Sequence, residues 1–417
     1  MKLKSLLSIA FAITVFNTTT SQESFAVAPE IVKLGSPELT SGIPSGAYKL
    51  SVIEIKAFLD NPKNHVPLEV VLPLGLDQGK DAIYIPEDNP LTRAKIELGR
   101  QLYFDTRLSG DNSISCASCH HPDSGYGFNS QFGIGIKGQT GNRNSPVSFN
   151  RILSKAQFWD GRADSLEGQA VGPIANPIEM GGSHSAVVAL VATNPGYKMQ
   201  FDKIFGRKPN IEDVGRAIAA FERVLVTGPS PYDYSEPVRK MEEAFADDLE
   251  DLAALKTDDP ELYGKYTKAK SLADANPMTE SAKRGRTLFF SVKSNCSACH
   301  VGANFSDELY HNLGVGMDAA TPDVGRFAVT KDEKDLGAFK TPTIRNIVQH
   351  GPYMHDGSQK TLEEVVEWYA KGGHPNPTLS NKIQKLDLSA QDKADLVEFM
   401  KSLTGPLPVV ATNKLPE

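Results

Sequence analysis

The chain keeps all four of its cysteines in two short stretches, "CASCH" (Cys116, Cys119, His120) and "CSACH" (Cys296, Cys299, His300). In each, two residues separate the cysteines and a histidine follows the second. Nothing in a disulfide needs that histidine, and disulfides usually join distant segments. A zinc site would have to gather four ligands from two remote pairs. A redox C-x-x-C pair leaves His120 and His300 without a purpose. C-x-x-C-H is instead the attachment motif of haem c, with thioethers to the vinyl groups and the histidine as proximal iron ligand. Two covalent haems restrict the fold to one that gives each of them a cleft. Their apolar faces then supply core that a loop-rich chain lacks.

The same elements precede both motifs. In "NPLTRAKIELGRQLYFDTRLS", Leu91, Ala94, Leu98 and Leu102 share one helical face, and Asn89–Pro90 offers a helix start. Gly99, Arg100, Leu102, Tyr103 and Phe104 are answered by Gly285, Arg286, Leu288, Phe289 and Phe290 in "MTESAKRGRTLFFSVKSNCSACH". A helix, a short loop and a haem motif therefore occur twice, an internal repeat. The expected fold is mainly α: two cytochrome c-like haem domains, residues 89–235 and 277–405, facing each other across an interface and carrying long loops. An acidic helical insertion, 236–276, separates them. Residues 27–88 form an N-terminal extension with a β-prone piece, "HVPLEVVLPLG", and 406–417 a tail.

Lys2 and Lys4 precede the apolar run Leu6–Phe16, and small residues follow. That reads as a signal peptide, residues 1–26, cleaved after Ala26 and directing the chain to the periplasm. No later run is long and apolar enough to span a bilayer. The net charge of -7 and the lack of a basic block leave no feature that suggests nucleic acid.

Around this frame lie "FDTRLSGDNSISCASCHHP", "GNRNSPVSFN", "AQFWDGRADSLEGQAVGPIANPIEM", "GRAIAAFERVLVT", "GRFAVT" and "TPTIRNIVQHGPYMHDGSQKTLEEVVEWY". Residues 90–405 thereby resemble the bacterial di-haem cytochrome c peroxidases and their relative MauG. The resemblance implies that the first haem is reactive and that the second, on Cys296, Cys299 and His300, relays and stores an electron. It implies that Trp159 lies between the haems and aids electron transfer. Gln169, Glu179 and Pro173 match residues of the reactive haem's distal pocket. Asn144 matches a side-chain ligand of an interdomain calcium ion, to which His350 and Pro352 would give backbone carbonyls.

Two positions depart from the ordinary peroxidase pattern. Ile136 stands where those enzymes carry a histidine that caps the first iron, and isoleucine cannot ligate. Tyr369 stands where they carry a methionine ligand of the second iron, and a phenolate favours ferric iron. Both are MauG-like. Met354 and Met317 are the other candidate axial ligands; Met354 is read as packing, as are Tyr353 and Trp368. His121, His184, His311 and His374 are read as surface or propionate-contacting residues, and His355 as bonding a propionate or backbone. The implied function is reduction of hydrogen peroxide to water, with electrons from a small cytochrome c or cupredoxin. The alternative is a maturase that oxidises tryptophan or tyrosine of a partner protein.

Overall fold

The computed structural model describes residues 29–44 and 49–417, so the expected signal peptide lies outside the described residues. Helices dominate, and strands occur only as three two-stranded pairings among the described residues. Six helices frame the haem sites: α1 (Arg93–Phe104), α2 (Leu166–Ala175), α3 (Ile211–Val224), α4 (Glu280–Phe289), α5 (Leu362–Lys371) and α6 (Ala390–Lys401).

α1 begins later than Asn89–Pro90. Thr92 caps it, accepting the Lys95 N–H at 3.2 Å, while Asn89 is buried and donates to Glu167 Oε1 and the Arg216 carbonyl. A side chain occupied with tertiary partners is not free to cap, and Thr92 supplies the acceptor instead.

The repeated glycines explain the repeated crossings. A Cβ on Gly99 would lie 1.8 Å from the Ala217 carbonyl oxygen of α3, and one on Gly285 would lie 1.8 Å from that of Asp395 in α6. Each crossing thus brings one helix against the backbone of its partner, with the Phe221 or Phe399 side chain beside the contact. Gly99→Ala should destabilise the haem-loaded protein by about 3 kcal/mol or more, since backbone cannot swing aside as a side chain would. Denaturant unfolding of the purified protein checks this, and a loss below about 1 kcal/mol would show that the helices slide apart freely.

The repeat continues past the haem motifs. Asn150 and Asn346 are both left-handed (φ 56° and 54°), and their N–H groups bond to the Leu225 and Leu403 carbonyls. Phe158 and Met354 are both left-handed, and the bridges Gln157–Ala163 and Tyr353–Gln359 enclose them. Ser165 then caps α2 as Thr361 caps α5. Each of these pairs is 196 residues apart, so the register also pairs Trp159 with His355 and Pro173 with Tyr369.

The extension and the tail clasp the first haem domain together. Glu30–Lys33 pairs in parallel with Leu68–Val71, a strand within the β-prone piece, and Lys49–Leu50 pairs with Leu415–Pro416. Arg100, fully buried, donates to the Ala411 and Lys414 carbonyls. The insertion is helical, but its first helix, Pro231–Ala244, runs unbroken through residue 236. Buried Asp233 of that helix forms a double hydrogen bond with Arg345 (2.8 and 2.9 Å), which ties it to the second haem half. No helix of the described residues is long and apolar enough to cross a membrane.

Candidate haem clefts and the interface between them

Each C-x-x-C-H motif faces a cleft. The first, about 1420 Å³ with its open mouth, is lined by Cys116, Cys119 and His120 together with Trp159, Gln169, Pro173 and Glu179. The second, about 1800 Å³ with its mouth, is lined by Cys296, Cys299, His300, Tyr369 and Met354. Every haem-site residue picked from the sequence therefore lines the expected cleft, while Met317 lines neither.

The histidines of both motifs are held alike. Nδ1 of His120 lies 3.3 Å from the Tyr126 carbonyl, and Nδ1 of His300 lies 3.0 Å from that of Phe305. A carbonyl accepts only, so Nδ1 carries the proton and Nε2 is left as the ligand atom. Burial keeps both rings neutral, drawing the pKa of His120 down to about 4 and lowering that of His300. None of the cysteines is in a disulfide. Burial pushes the thiols of Cys119 and Cys299 up to about 11, the opposite of an activated redox pair.

The two clefts differ opposite their histidines. In the second, α5 presents Tyr369, whose phenol is deeply buried and raised in pKa by desolvation and by the adjacent Cys299 and Cys296 thiols. Its hydroxyl makes no hydrogen bond among the described residues. In the first, the repeat-equivalent position is Pro173, which offers no ligand atom. Glu179 follows on the loop after α2. Burial raises its pKa, against the opposing effects of the Arg162 charge and a hydrogen bond from Asn176.

Ile136 is buried, yet it does not line the first cleft. Its side chain packs under Gly181, where a Cβ would lie 2.1 Å from Ile136 Cδ1. Its N–H donates to the Glu179 carbonyl at 2.8 Å, so its loop is fastened to the one that carries Glu179.

Trp159 lines both clefts. Its Nε1–H donates to the Asn144 carbonyl at 2.8 Å, and its carbonyl accepts from the Lys340 N–H at 2.8 Å, so both halves hold it. Asn144 Nδ2 donates to the Ser130 and Gln131 carbonyls. That leaves Asn144 Oδ1 and the Pro352 carbonyl, both on the second cleft, without a donor among the described residues, and no described backbone N–H reaches the His350 carbonyl beside them.

Some residues were not picked out from the sequence. Glu222 is buried on the first cleft, and desolvation pushes its carboxyl up to about 8 although Arg151 and Arg223 oppose this. Its Oε2 and the Nε2 of His350 are buried without a partner. Arg151 and Lys340 line both clefts. A charged residue inside a helical motif such as "AFERVLV" is a signal, but its burial is visible only in the fold. His311, read as a surface or propionate-contacting residue, lines the second cleft, where Asp307 holds its Nε2 at 2.8 Å. Cys299, Asp307 and His311 are the one His/Cys/Asp/Glu group close enough to hold a metal among the described residues. Thioether formation at Cys299 would remove its thiolate from such a set.

Clefts with apolar walls, a prepared histidine, a paired thiol and polar atoms short of partners fit haem c attached through its vinyls, with its propionates toward polar groups. Two such sites define a di-haem c-type oxidoreductase. Residues 93–240 match the family model described as di-haem cytochrome c peroxidase, and residues 282–404 match cytochrome c. The chain belongs to the di-haem cytochrome c peroxidase and MauG family. It is 35% identical over 335 residues to the methylamine utilization protein MauG of Methylorubrum extorquens, covering 79% of this chain and 84% of that one. It is 35% identical over 315 residues to the cytochrome c551 peroxidase of Nitrosomonas europaea, covering 75% and 80%. A solved MauG-like protein associated with microbial copper homeostasis superposes with a TM-score of 0.63 at 30% identity, covering 77% of this chain and 92% of that one.

Proposed function

We propose that the protein reduces hydrogen peroxide to water in its first cleft, drawing electrons through the second from a small cytochrome c or cupredoxin in the periplasm. The observation that carries this reading is the asymmetry of the repeat: Pro173 occupies the place that Tyr369 fills in the other half, and Glu179 stands nearby on the same cleft. Haem c at each motif supplies the iron and the electron-transfer chemistry. Glu179 takes a proton from one peroxide oxygen and returns it to the other, which departs as water. Its raised pKa suits both halves of that transfer. Gln169, whose side-chain amide has no hydrogen-bond partner among the described residues, orients the substrate beside it. Trp159 gives electrons a route between the clefts, and Tyr369 ligates the second iron. Two electrons and two protons per peroxide yield two waters.

Asn144 Oδ1 with the His350 and Pro352 carbonyls would hold a calcium ion, since hard cations take oxygen ligands. Steady-state turnover of peroxide with a reduced small cytochrome tests the reading, with and without prior calcium chelation. Turnover should be robust, fall on chelation and return with calcium. No turnover with any small cytochrome or cupredoxin would sink the peroxidase reading. Indifference to chelation would remove the calcium.

A second reading, a maturase that oxidises tryptophan or tyrosine in a partner protein, draws on Ile136 and Tyr369. Under it, peroxide would be consumed only when the partner is present, and the partner would gain a cross-link or hydroxyl visible by mass.

A further inference from the structure

The reaction above leaves a charge cluster between the clefts unused. Arg151 comes from the first half, just after Asn150, and Lys340 from the second, at the end of the short strand Ala338–Lys340. Both cations line both clefts. Ser154 Oγ joins them, accepting from Arg151 Nη2 at 2.8 Å and from Lys340 Nζ at 3.0 Å. One carboxylate serves the pair: Glu308 Oε2 lies 2.6 Å from Lys340 Nζ and accepts from Ser154. Arg151 has no carboxylate in hydrogen-bond contact. Its Nε and Nη2 donate to the neutral oxygens of Gln157, Ser154 and Ala156, and its Nη1 has no acceptor among the described residues.

Lys340 is buried and Arg151 partly so, with one carboxylate in contact; burial pushes Glu222, the other carboxyl acting on Arg151, up to about 8, which leaves the pair one anion short. An unmatched buried charge is costly unless paired. Burial, followed by the Arg151 charge, already draws the Lys340 pKa down to about 8. The missing anion must reach the cluster from the clefts, since Nη1 of Arg151 is the donor left open. Haem would supply it: with its vinyl edge held by thioethers at the cysteines, its carboxylates would lie on the opposite edge.

We propose that Arg151 and Lys340 form one anion cradle shared by the two haems, holding propionate carboxylates and placing the same positive charge beside both irons. A shared cation favours the reduced form of each haem, so the two potentials rise together. Trp159 lies against the cradle through its carbonyl on the Lys340 N–H, so the cradle flanks the electron route as well. The inference needs only the two haems and is independent of peroxide as substrate.

Redox titration of the di-haem protein, followed by optical absorption, tests it. At an effective dielectric constant of about 20, a unit charge about 10 Å away shifts an equilibrium by roughly tenfold. Lys340→Gln should therefore lower both midpoints by about tenfold in the reduction equilibrium, about 59 mV for a one-electron couple. Lys340→Arg should keep both near wild type. A fall in one midpoint alone would make the pair the counter-ion of a single haem, and unchanged midpoints with a lower melting temperature would make it structural. Either result overturns the proposal. If Lys340→Gln fails to retain two haems, Glu308→Gln is the deciding variant. It removes the opposing negative charge, so both midpoints should rise, and no rise in either overturns the shared cradle.

Discussion

Replacing Glu179 with glutamine should slow peroxide cleavage by roughly 10²–10⁴, the range over which positioned acid–base groups act. The side chain keeps its length and shape but can no longer take a proton from one oxygen and pass it to the other. Its backbone ties are unaffected, because the Glu179 carbonyl, not the carboxylate, holds the Ile136 N–H. The pocket should therefore stay intact, and cyanide or peroxide should still bind. Stopped-flow mixing with peroxide, followed in the haem absorption bands, reads the step directly. The pH profile gives an independent check. The carboxyl must start deprotonated, and burial raises its pKa, so wild-type kcat/KM falls as pH drops through a value above the ordinary carboxylate range. That acid limb should vanish in the variant. Wild-type cleavage rates in Glu179→Gln would make the residue structural.

How much of this could be read from the sequence depended on whether a signal was local. The haem motifs are local, and the clefts open where the spacing of cysteine and histidine requires. α5 is local too: Thr361 caps it, Gly372 ends it in a left-handed turn (φ 87°), and Tyr369 shares its inward face with Leu362 and Val366. The paired glycines were visible as a repeat, but their purpose, backbone against backbone at 1.8 Å for an added Cβ, needed both helices in place. The equivalence of Pro173 and Tyr369 was hidden because the repeat changes register. Cys116 and Cys296 are 180 residues apart, Gly99 and Gly285 are 186, and Asn150 and Asn346 are 196. Loops of unequal length between fixed elements cause that drift, and only shared left-handed turns and bridges reveal the alignment. The clasp of extension and tail pairs residues more than 300 positions apart, as in the bond from Thr40 Oγ1 to the Val409 carbonyl, and no local pattern encodes such a partner. Arg151 and Lys340 carry no local signal that sets them apart from other cations, and their link shows only where both meet the same serine hydroxyl.

Tyr369→Met should raise the reduction potential of the second haem by roughly a hundredfold in the equilibrium, about 120 mV for a one-electron couple. Phenolate is an anionic, hard ligand that stabilises ferric iron, whereas a thioether is neutral and favours ferrous iron. The geometry suits ligation: the phenol lines the same cleft as His300, and its hydroxyl makes no hydrogen bond among the described residues. Burial and the nearby thiols raise its pKa, and a ferric iron bound there would supply the positive charge to reverse that shift. Redox titration of the variant reads the potential, and the ferric absorption spectrum reads the ligand change. Pro173 and Glu179 lie on the other cleft, so peroxide binding should be retained while electron supply from the second haem weakens. Met354 also lines the second cleft, but it sits in a left-handed turn (φ 71°) that answers Phe158 of the first half rather than Pro173. If the spectrum and potential of Tyr369→Met match wild type, the phenol is only part of the wall, and Met354→Leu becomes the substitution that should move the potential.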